Sequence, residues 1–101
     1  MKLAIIIPVY NAEETIKRAI LSVDTSVPYE IICINDGSTD QTQHVLTELQ
    51  QKHPHIKVIH QSNQGAARSR NVGLEAMSED VDAFLFLDAD DEFLPSRDRK
   101  S

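Results

Sequence analysis

The sequence has few of the residues that define several large classes of protein. It contains one cysteine in 101 residues, Cys33, which excludes an internal disulfide framework and a metal site built on paired cysteines. No apolar run approaches the roughly 20 residues that a membrane-spanning helix needs. The apolar start of the chain is interrupted at Pro8, too early for a signal peptide. These absences predict a cytoplasmic protein.

Basic residues are also scarce. The chain has 10 lysines and arginines against 16 aspartates and glutamates, a formal net charge of -6. A general nucleic-acid binder needs a basic face to neutralise phosphates, so this balance argues against nucleic acid as a partner. The share of hydrophobic residues, 41%, is that of a folded globular domain. We expect one domain over residues 1–96 and a polar tail at residues 97–101.

Apolar runs and helical periodicity alternate along the chain. Consecutive β-branched and apolar residues predict buried strands at residues 3–9, 30–35, 56–60 and 83–87. Apolar stripes at helical spacing begin at Ile16 and at Val45, and a third helix is predicted over residues 66–77. This alternation predicts an α/β domain with a parallel sheet and crossover helices.

The first two helices have candidate capping residues. Asn11 and Glu14 stand three residues apart before the first helix, which predicts a capping-box-like pair. Ser38 or Asp40 is expected to cap the second helix, which ends near Pro54.

Polar segments follow three of the predicted strands, at residues 8–11, 35–38 and 88–91. The carboxyl ends of parallel strands lie at one edge of a sheet, and open α/β sheets bind ligands beyond that edge where the strand order reverses. The three segments are therefore predicted to share a ligand site.

The segment at residues 88–91 contains three aspartates: Asp88, Asp90 and Asp91. Carboxylate oxygens are the ligands that Mg²⁺ and Mn²⁺ prefer, and neighbouring carboxylates repel one another unless a cation lies between them. The alternative is a solvated acidic loop.

Residues from three other segments complete the candidate site. Asp36 could accept a hydrogen bond from the base or ribose of a nucleotide, or it could simply cap the turn at Gly37 or the following helix. Tyr10 with Pro8 could form a flat wall for such a base. Arg68 or Arg70, at the start of the third helix, could reach a diphosphate, since helix N-termini attract anions. An ordinary exposed position remains the alternative for each arginine.

Four segments in a fixed order carry a resemblance to a known family. They are IIIPVYN (residues 5–11), NDGSTD (35–40), NQG (63–65) with ARSRNVG (67–73), and LDADD (87–91). With these intervals the chain resembles the amino-terminal half of family 2 glycosyltransferases. The resemblance implies the GT-A fold, with a Rossmann-like, mostly parallel sheet, and a nucleotide-sugar donor as partner.

The resemblance also implies site residues. It assigns nucleotide binding to Pro8, Val9, Tyr10, Asn11, Glu14, Asp36, Gly65, Arg68, Asp88 and Ala89. Within this set, Asp36 would contact the imide of uracil or a related base, and Arg68 would lie near the base or the diphosphate. Asp88 and Asp90, with Asp91 as a third ligand, would hold the Mn²⁺ or Mg²⁺ that bridges the donor diphosphate.

In this family a carboxylate general base deprotonates the acceptor hydroxyl and the sugar carbon is inverted. That base lies well downstream in relatives, in a second half that also forms the acceptor pocket, so the resemblance implies a base downstream of Ser101 and no catalytic residue within the 101 residues. It therefore implies a donor-binding half that is inactive alone, with a saccharide or lipid-linked acceptor bound elsewhere. Bacterial members of the family often act at the inner face of the membrane, and the resemblance implies that location for the full-length protein.

The strand at residues 83–87 is apolar at consecutive positions, which is typical of a strand covered on both faces. Without the second half it would become a sheet edge, and we expect self-association through it.

Two other classes of function fit parts of the pattern. An aspartyl phosphatase also has two aspartates after an apolar strand, but there the motif opens the chain. A nucleotide-binding module without catalysis is the second alternative, and it would bind the same ligand.

Overall fold

The structure, a computed structural model, describes residues 1–91. In chain order the elements are β1 Leu3–Val9, α1 Ile16–Leu21, β2 Tyr29–Asp36, α2 Thr42–Lys52, β3 Ile56–Gln61, α3 Ala66–Glu75 and β4 Ala83–Phe86. No helix within residues 1–91 is long and apolar enough to cross a bilayer.

Three expectations concern the end of the chain or the region beyond it. The predicted domain end at residue 96 and the predicted polar tail from Arg97 to Ser101 lie outside the described residues. The catalytic base expected downstream of Ser101 lies outside them as well. All three therefore stay predictions.

The four strands form one parallel sheet in the order β3-β2-β1-β4. β1 lies between β2 and β4, so that Ile5 is opposite both Ile31 and Leu85. The chain builds the sheet in one direction from β1 to β3, then crosses back to place β4 on the other side of β1. The predicted parallel α/β sheet is confirmed.

The two faces of the sheet bury alternate residues of the strands. Ile5 and Ile7 belong to the larger apolar cluster with residues of α1 and α2, whereas Ile6 and Ile34 belong to the cluster on the α3 side. A Cβ on Gly73 of α3 would lie 2.5 Å from Cγ2 of Ile6. The absent side chain therefore lets α3 pack closely against the sheet.

The capping pair predicted for the first helix is wrong. α1 has Thr15 as its N-cap and no side-chain capping bond. Asn11 instead adopts a left-handed backbone conformation (φ 48°) and accepts a hydrogen bond from the backbone N–H of Thr39 at 2.8 Å. Asparagine tolerates this conformation, and its side chain here joins two loops rather than starting a helix.

The second helix is capped close to the predicted position. α2 has Gln41 as its N-cap, but the carboxylate of Asp40 accepts the backbone N–H of Thr42 at 2.9 Å. Of the two candidates, Asp40 therefore bonds to the first turn. Ser38 instead accepts the backbone N–H of Asn11 at 2.9 Å.

β4 is an edge strand within the described residues, as expected, but it is not covered on both faces. Its residues alternate between half-buried and exposed, and the exposed fractions of Phe84 and Phe86 are 47% and 41%. Both rings are on the side where α3 packs, since Phe86 is opposite Ile6 in the register. α3 packs on β1 and β2, which leaves the two rings open to solvent.

A buried carboxylate joins the elements at the opposite end of the sheet. Glu30, 5% exposed, accepts hydrogen bonds from the backbone N–H and the hydroxyl of Ser78 at 3.0 and 2.7 Å. The ammonium groups of Lys2 and Lys57 lie 3.6 and 3.5 Å from it. Burial raises the pKa of Glu30, but the bonds from Ser78 and the two lysine charges hold it below its ordinary value.

Replacing this carboxylate tests its contribution to stability. Glu30→Gln should lower the free energy of unfolding by about 1–3 kcal/mol, because two charge-assisted contacts are lost in a buried site. Glu75→Gln, at an exposed position of α3, is the control and should stay within about 0.5 kcal/mol of the wild type. Urea unfolding measures both. Equal stability of the two variants would contradict a role for Glu30.

Candidate functional site

The carboxyl ends of β1, β2 and β4 meet at one edge of the sheet. A cavity of about 160 Å³ lies among them and the start of α3. It is lined by Pro8, Val9, Tyr10, Asp36, Ala66, Ser69, Arg70 and Asp88. β1 and β4 flank the point where the strand order reverses, which is where open α/β sheets bind ligands.

A larger cleft, about 580 Å³, adjoins the cavity and shares Pro8, Tyr10 and Asp88 with it. Its other lining residues come from the segment before α1, from the loop before α2 and from the end of β4. They are Asn11, Ala12, Glu13, Glu14, Thr15, Asp40, Ala89 and Asp90. The two spaces together contain all the predicted nucleotide-binding residues except Gly65 and Arg68.

Three aspartates converge at the end of β4. The carboxylate oxygens of Asp88, Asp90 and Asp91 come within 4.8 Å of one another, and all three side chains are exposed. The backbone N–H of Asp91 donates to the carbonyl of Asp88 at 3.0 Å, which turns the chain so that the side chains can meet. Among residues 1–91, no basic side chain pairs with any of them. Three carboxylates so placed fit a hard divalent cation such as Mn²⁺ or Mg²⁺.

Asp36 is buried and holds the loop that leads into α3. Its Oδ1 accepts the side-chain amide of Gln61 and the backbone N–H of Gln64, both at 2.8 Å, and its Oδ2 accepts the backbone N–H of Gly65 at 2.9 Å. Asn63 adds a longer contact of 3.4 Å to Oδ2. Burial raises the pKa of Asp36, but the hydrogen bonds from Gln61, Gln64 and Gly65 lower it below its ordinary value. The sequence did not indicate this role in ordering the loop.

Tyr10 stands exposed where β1 ends. Its exposed fraction is 52%, and it borders both the cavity and the larger cleft. The chain turns at Asn11, which bonds to Ser38 and Thr39 of the neighbouring loop. These hydrogen bonds fix the backbone beside Tyr10 and leave its ring available to a ligand.

Arg70, rather than Arg68, borders the cavity. Successive residues of a helix are about 100° apart, so two residues that are two positions apart lie on nearly opposite sides. Ala66, Ser69 and Arg70 line the cavity at helical spacing, and Arg68 is exposed and lines neither space. Ser69 and Gly73 are the buried residues of α3 and face the sheet. They are small residues four positions apart, a spacing that could have indicated from the sequence which side of α3 faces the sheet, and therefore that Arg70 borders the cavity.

Comparison with known proteins identifies the family of this chain. The model of the family described as "Glycosyl transferase family 2" matches residues 4–100. The chain belongs to this family. The match covers all four segments that carry the resemblance, and it supports transferase activity in general for the family's full-length proteins.

Several curated proteins are similar to this family 2 chain. The uncharacterized glycosyltransferase YibD of Escherichia coli (strain K12) is 40% identical over 97 residues, 94% of this chain and 28% of the relative. The uncharacterized glycosyltransferase alr2836 of Nostoc is 43% identical over 100 residues, 96% of this chain and 30% of the relative. The chain thus spans less than one third of the length of these relatives.

Solved structures show the same fold. Residues 1–349 of S. aureus TarS, in complex with UDP, superpose with a TM-score of 0.78 at 32% identity, over 91% of this chain and 28% of that one. The mannosyltransferase PcManGT of Pyrobaculum calidifontis, in complex with GDP-Man and Mn²⁺, superposes with a TM-score of 0.69 at 22% identity, over 87% of this chain and 27% of that one. The GT-A fold is confirmed.

Removing one oxygen of Asp36 tests its role in ordering the loop before α3. In Asp36→Asn the new amide would point its N–H at the backbone N–H of Gly65, and we expect a loss of about 1–3 kcal/mol at neutral pH. Since the folded state lowers the pKa of Asp36, its contribution to stability is present above the unfolded-state pKa and is lost as the pH falls through the folded-state pKa.

The stability difference between wild type and Asp36→Asn should therefore shrink on acidification. Urea unfolding followed from about pH 7 down to about pH 3 measures it. Asp24→Asn, at an exposed position, is the matched control and should show no such trend. A difference that stayed constant with pH would contradict the account.

Proposed function

We propose that this domain binds the nucleotide-sugar donor of a glycosyltransferase, a UDP-linked sugar held together with Mn²⁺ or Mg²⁺. The observation that carries the proposal is the meeting of the β1, β2 and β4 ends around one cavity, with Asp88 in its lining and the carboxylates of Asp90 and Asp91 clustered with that of Asp88. The similarity to TarS, whose structure contains UDP, supports a uridine nucleotide.

The base would lie in the small cavity. Pro8 and the ring of Tyr10 offer an apolar surface, and Asp36 offers a carboxylate acceptor at the same place. A carboxylate has about four lone-pair positions, and three of them already accept short bonds from the loop. The long contact from Asn63 occupies the fourth, and the N–H of a base imide would replace it.

Other predicted residues would contact the donor around this centre. Val9 and Asn11 flank Tyr10, and Ala89 lies between two of the aspartates. Glu14 lines the larger cleft, where it would face the ribose or the sugar. Gly65 would act indirectly, since its backbone N–H is held by Asp36.

The diphosphate would lie at the rim, where Asp88, Asp90 and Asp91 would hold the cation. A bound divalent cation would stabilise the charge that develops on the leaving nucleoside diphosphate. Arg70 borders the same cavity and supplies a second positive charge, with five donors that match phosphate oxygens. Arg68 would contact the donor only from outside the cavity.

We infer that the catalytic base and the acceptor pocket belong to the part of the family's proteins that this chain does not match. Carboxylates that hold a cation are poor proton acceptors, so the three aspartates cannot also deprotonate an acceptor hydroxyl. The curated relatives are more than three times as long as the matched region. The 101 residues alone would then bind the donor without transferring the sugar, whether the full protein inverts the sugar carbon or not.

The family match and the geometry favour this proposal over an aspartyl phosphatase. Titration of the chain with UDP by calorimetry should show binding in the presence of MnCl₂ and binding at least about tenfold weaker after metal removal, because the aspartates would hold a cation that offsets the negative charge of the phosphates. Asp90→Asn should weaken binding by a similar factor. Glu79→Gln, exposed on the same acidic stretch, should bind as the wild type does.

Metal-independent binding of UDP would contradict the cation site, and absence of binding under all these conditions would contradict the donor site. Hydrolysis of phosphate esters by the chain would support the phosphatase alternative instead.

We further propose that the free edge of β4 makes the 101-residue chain self-associate. Its backbone edge pairs with nothing within residues 1–91, and Phe84 and Phe86 are exposed beside it. Sedimentation velocity at increasing concentration should show a dimer or larger species that Phe84→Lys abolishes. Leu21→Lys removes a similarly exposed apolar residue from α1 and should leave association unchanged. A monomer at every concentration would contradict this proposal.

A further inference from the structure

We propose that Phe86 is a positioning residue, whose ring holds the guanidinium of Arg70 beside the donor cavity. The inference rests on the proposed donor-binding function and goes beyond it, because it gives a role to a residue that does not line the cavity. It follows from three observations: what Arg70 contacts, where the ring of Phe86 lies, and how the two elements that carry them are fixed.

Arg70 is half-buried and lines the cavity together with Asp36 and Asp88. Within residues 1–91 its guanidinium has neither a hydrogen bond nor an ion pair with the protein. Its N–H donors are thus available to an anionic ligand. A long side chain without polar partners would ordinarily sample many rotamers, which weakens any site that depends on it.

The ring of Phe86 supplies the missing restraint. The guanidinium carbon of Arg70 lies 5.7 Å from the centroid of that ring, within the range of a cation–π contact. The ring in turn packs edge-on against Phe84, with centroids 5.5 Å apart and planes at 63°. Phe86 keeps its side chain on the α3 side of the sheet because its register on β1 fixes the direction of that side chain.

The arrangement couples two parts of the proposed site. Phe86 is two residues before Asp88, so the strand that delivers the aspartates also delivers the ring that holds the arginine. Two positive groups, the cation and the guanidinium, would then face the same diphosphate. An aromatic ring can restrain the arginine without using its N–H donors, which a carboxylate partner would occupy.

Calorimetric titration of UDP with MnCl₂ into a set of variants tests the proposal. Phe86→Leu keeps an apolar side chain but removes the ring, and it should weaken UDP binding about two- to fivefold. Phe86→Tyr keeps the ring and should bind as the wild type does. Phe84→Leu is the matched control: it removes the neighbouring ring but leaves the ring of Phe86 over the guanidinium, so it should weaken UDP binding less than Phe86→Leu does.

The Arg70→Met background separates positioning from general destabilisation. Phe86→Leu should cause no further loss of UDP affinity in that background, because the group that it positions is gone. An equal loss with and without Arg70, or an equal loss in Phe84→Leu, would overturn the proposal. Thermal unfolding of each variant identifies any that lose affinity because they fail to fold.

A measurement without ligand distinguishes failure of this inference from failure of the proposed function. In the free protein, the NMR signals of the Arg70 side chain should carry an upfield shift from the Phe86 ring, lost in Phe86→Leu and kept in Phe86→Tyr. If the shift is present but UDP does not bind, the donor-binding function is wrong and the contact stands. If the shift is absent, the positioning role is wrong whatever the affinity for UDP.

Discussion

The rest of the structure depends on the burial of β1. Its residues 4–7 are inaccessible to solvent, since helices cover both faces of the sheet and hydrogen-bonded strands flank both edges. Each fully buried isoleucine contributes roughly 1.5–3 kcal/mol relative to an exposed one. Because β1 is central, the strand order must reverse beside it, and the polar residues that follow Val9 are placed at the point of reversal. The location of the proposed site is thus a consequence of how the core is built.

The buried carboxylate of Asp36 is the second determinant of the site, because it fixes the shape of the cavity at that location. By accepting bonds from Gln61, Gln64 and Gly65, it fixes where α3 starts. The start of α3 determines which of its residues border the cavity, and it brings Arg70 there. Asp36, which the sequence indicates as a ligand contact, therefore also orders the loop beside the proposed ligand. The two roles are compatible, because one position on the carboxylate is held only by a long contact.

Much of the fold could be predicted from the sequence, because consecutive β-branched residues and helical stripes are local signals. The convergence of three strand ends also followed once the strands were taken as parallel. What could not be predicted depended on tertiary contacts. Asn11 has the side chain of a helix cap, but its bond to Thr39 of another loop decides its conformation. The exposure of Phe84 and Phe86 depends on how far α3 extends across the sheet. The spacing of apolar residues in the sequence does not indicate that distance.

The central claim is that the ends of β1, β2 and β4 form one donor site. Mn²⁺ is paramagnetic, so the most direct test is to follow the backbone amide spectrum of the chain during titration with Mn²⁺ in the presence of UDP. We expect signals near Asp88 to broaden first and signals around Glu30, at the far end of the sheet, to stay sharp. With Mg²⁺, which is not paramagnetic, in place of Mn²⁺, UDP should shift the signals of Tyr10, Asp36 and Arg70. Broadening centred away from the aspartates, or UDP-dependent shifts that leave Tyr10 and Asp36 unchanged, would contradict it.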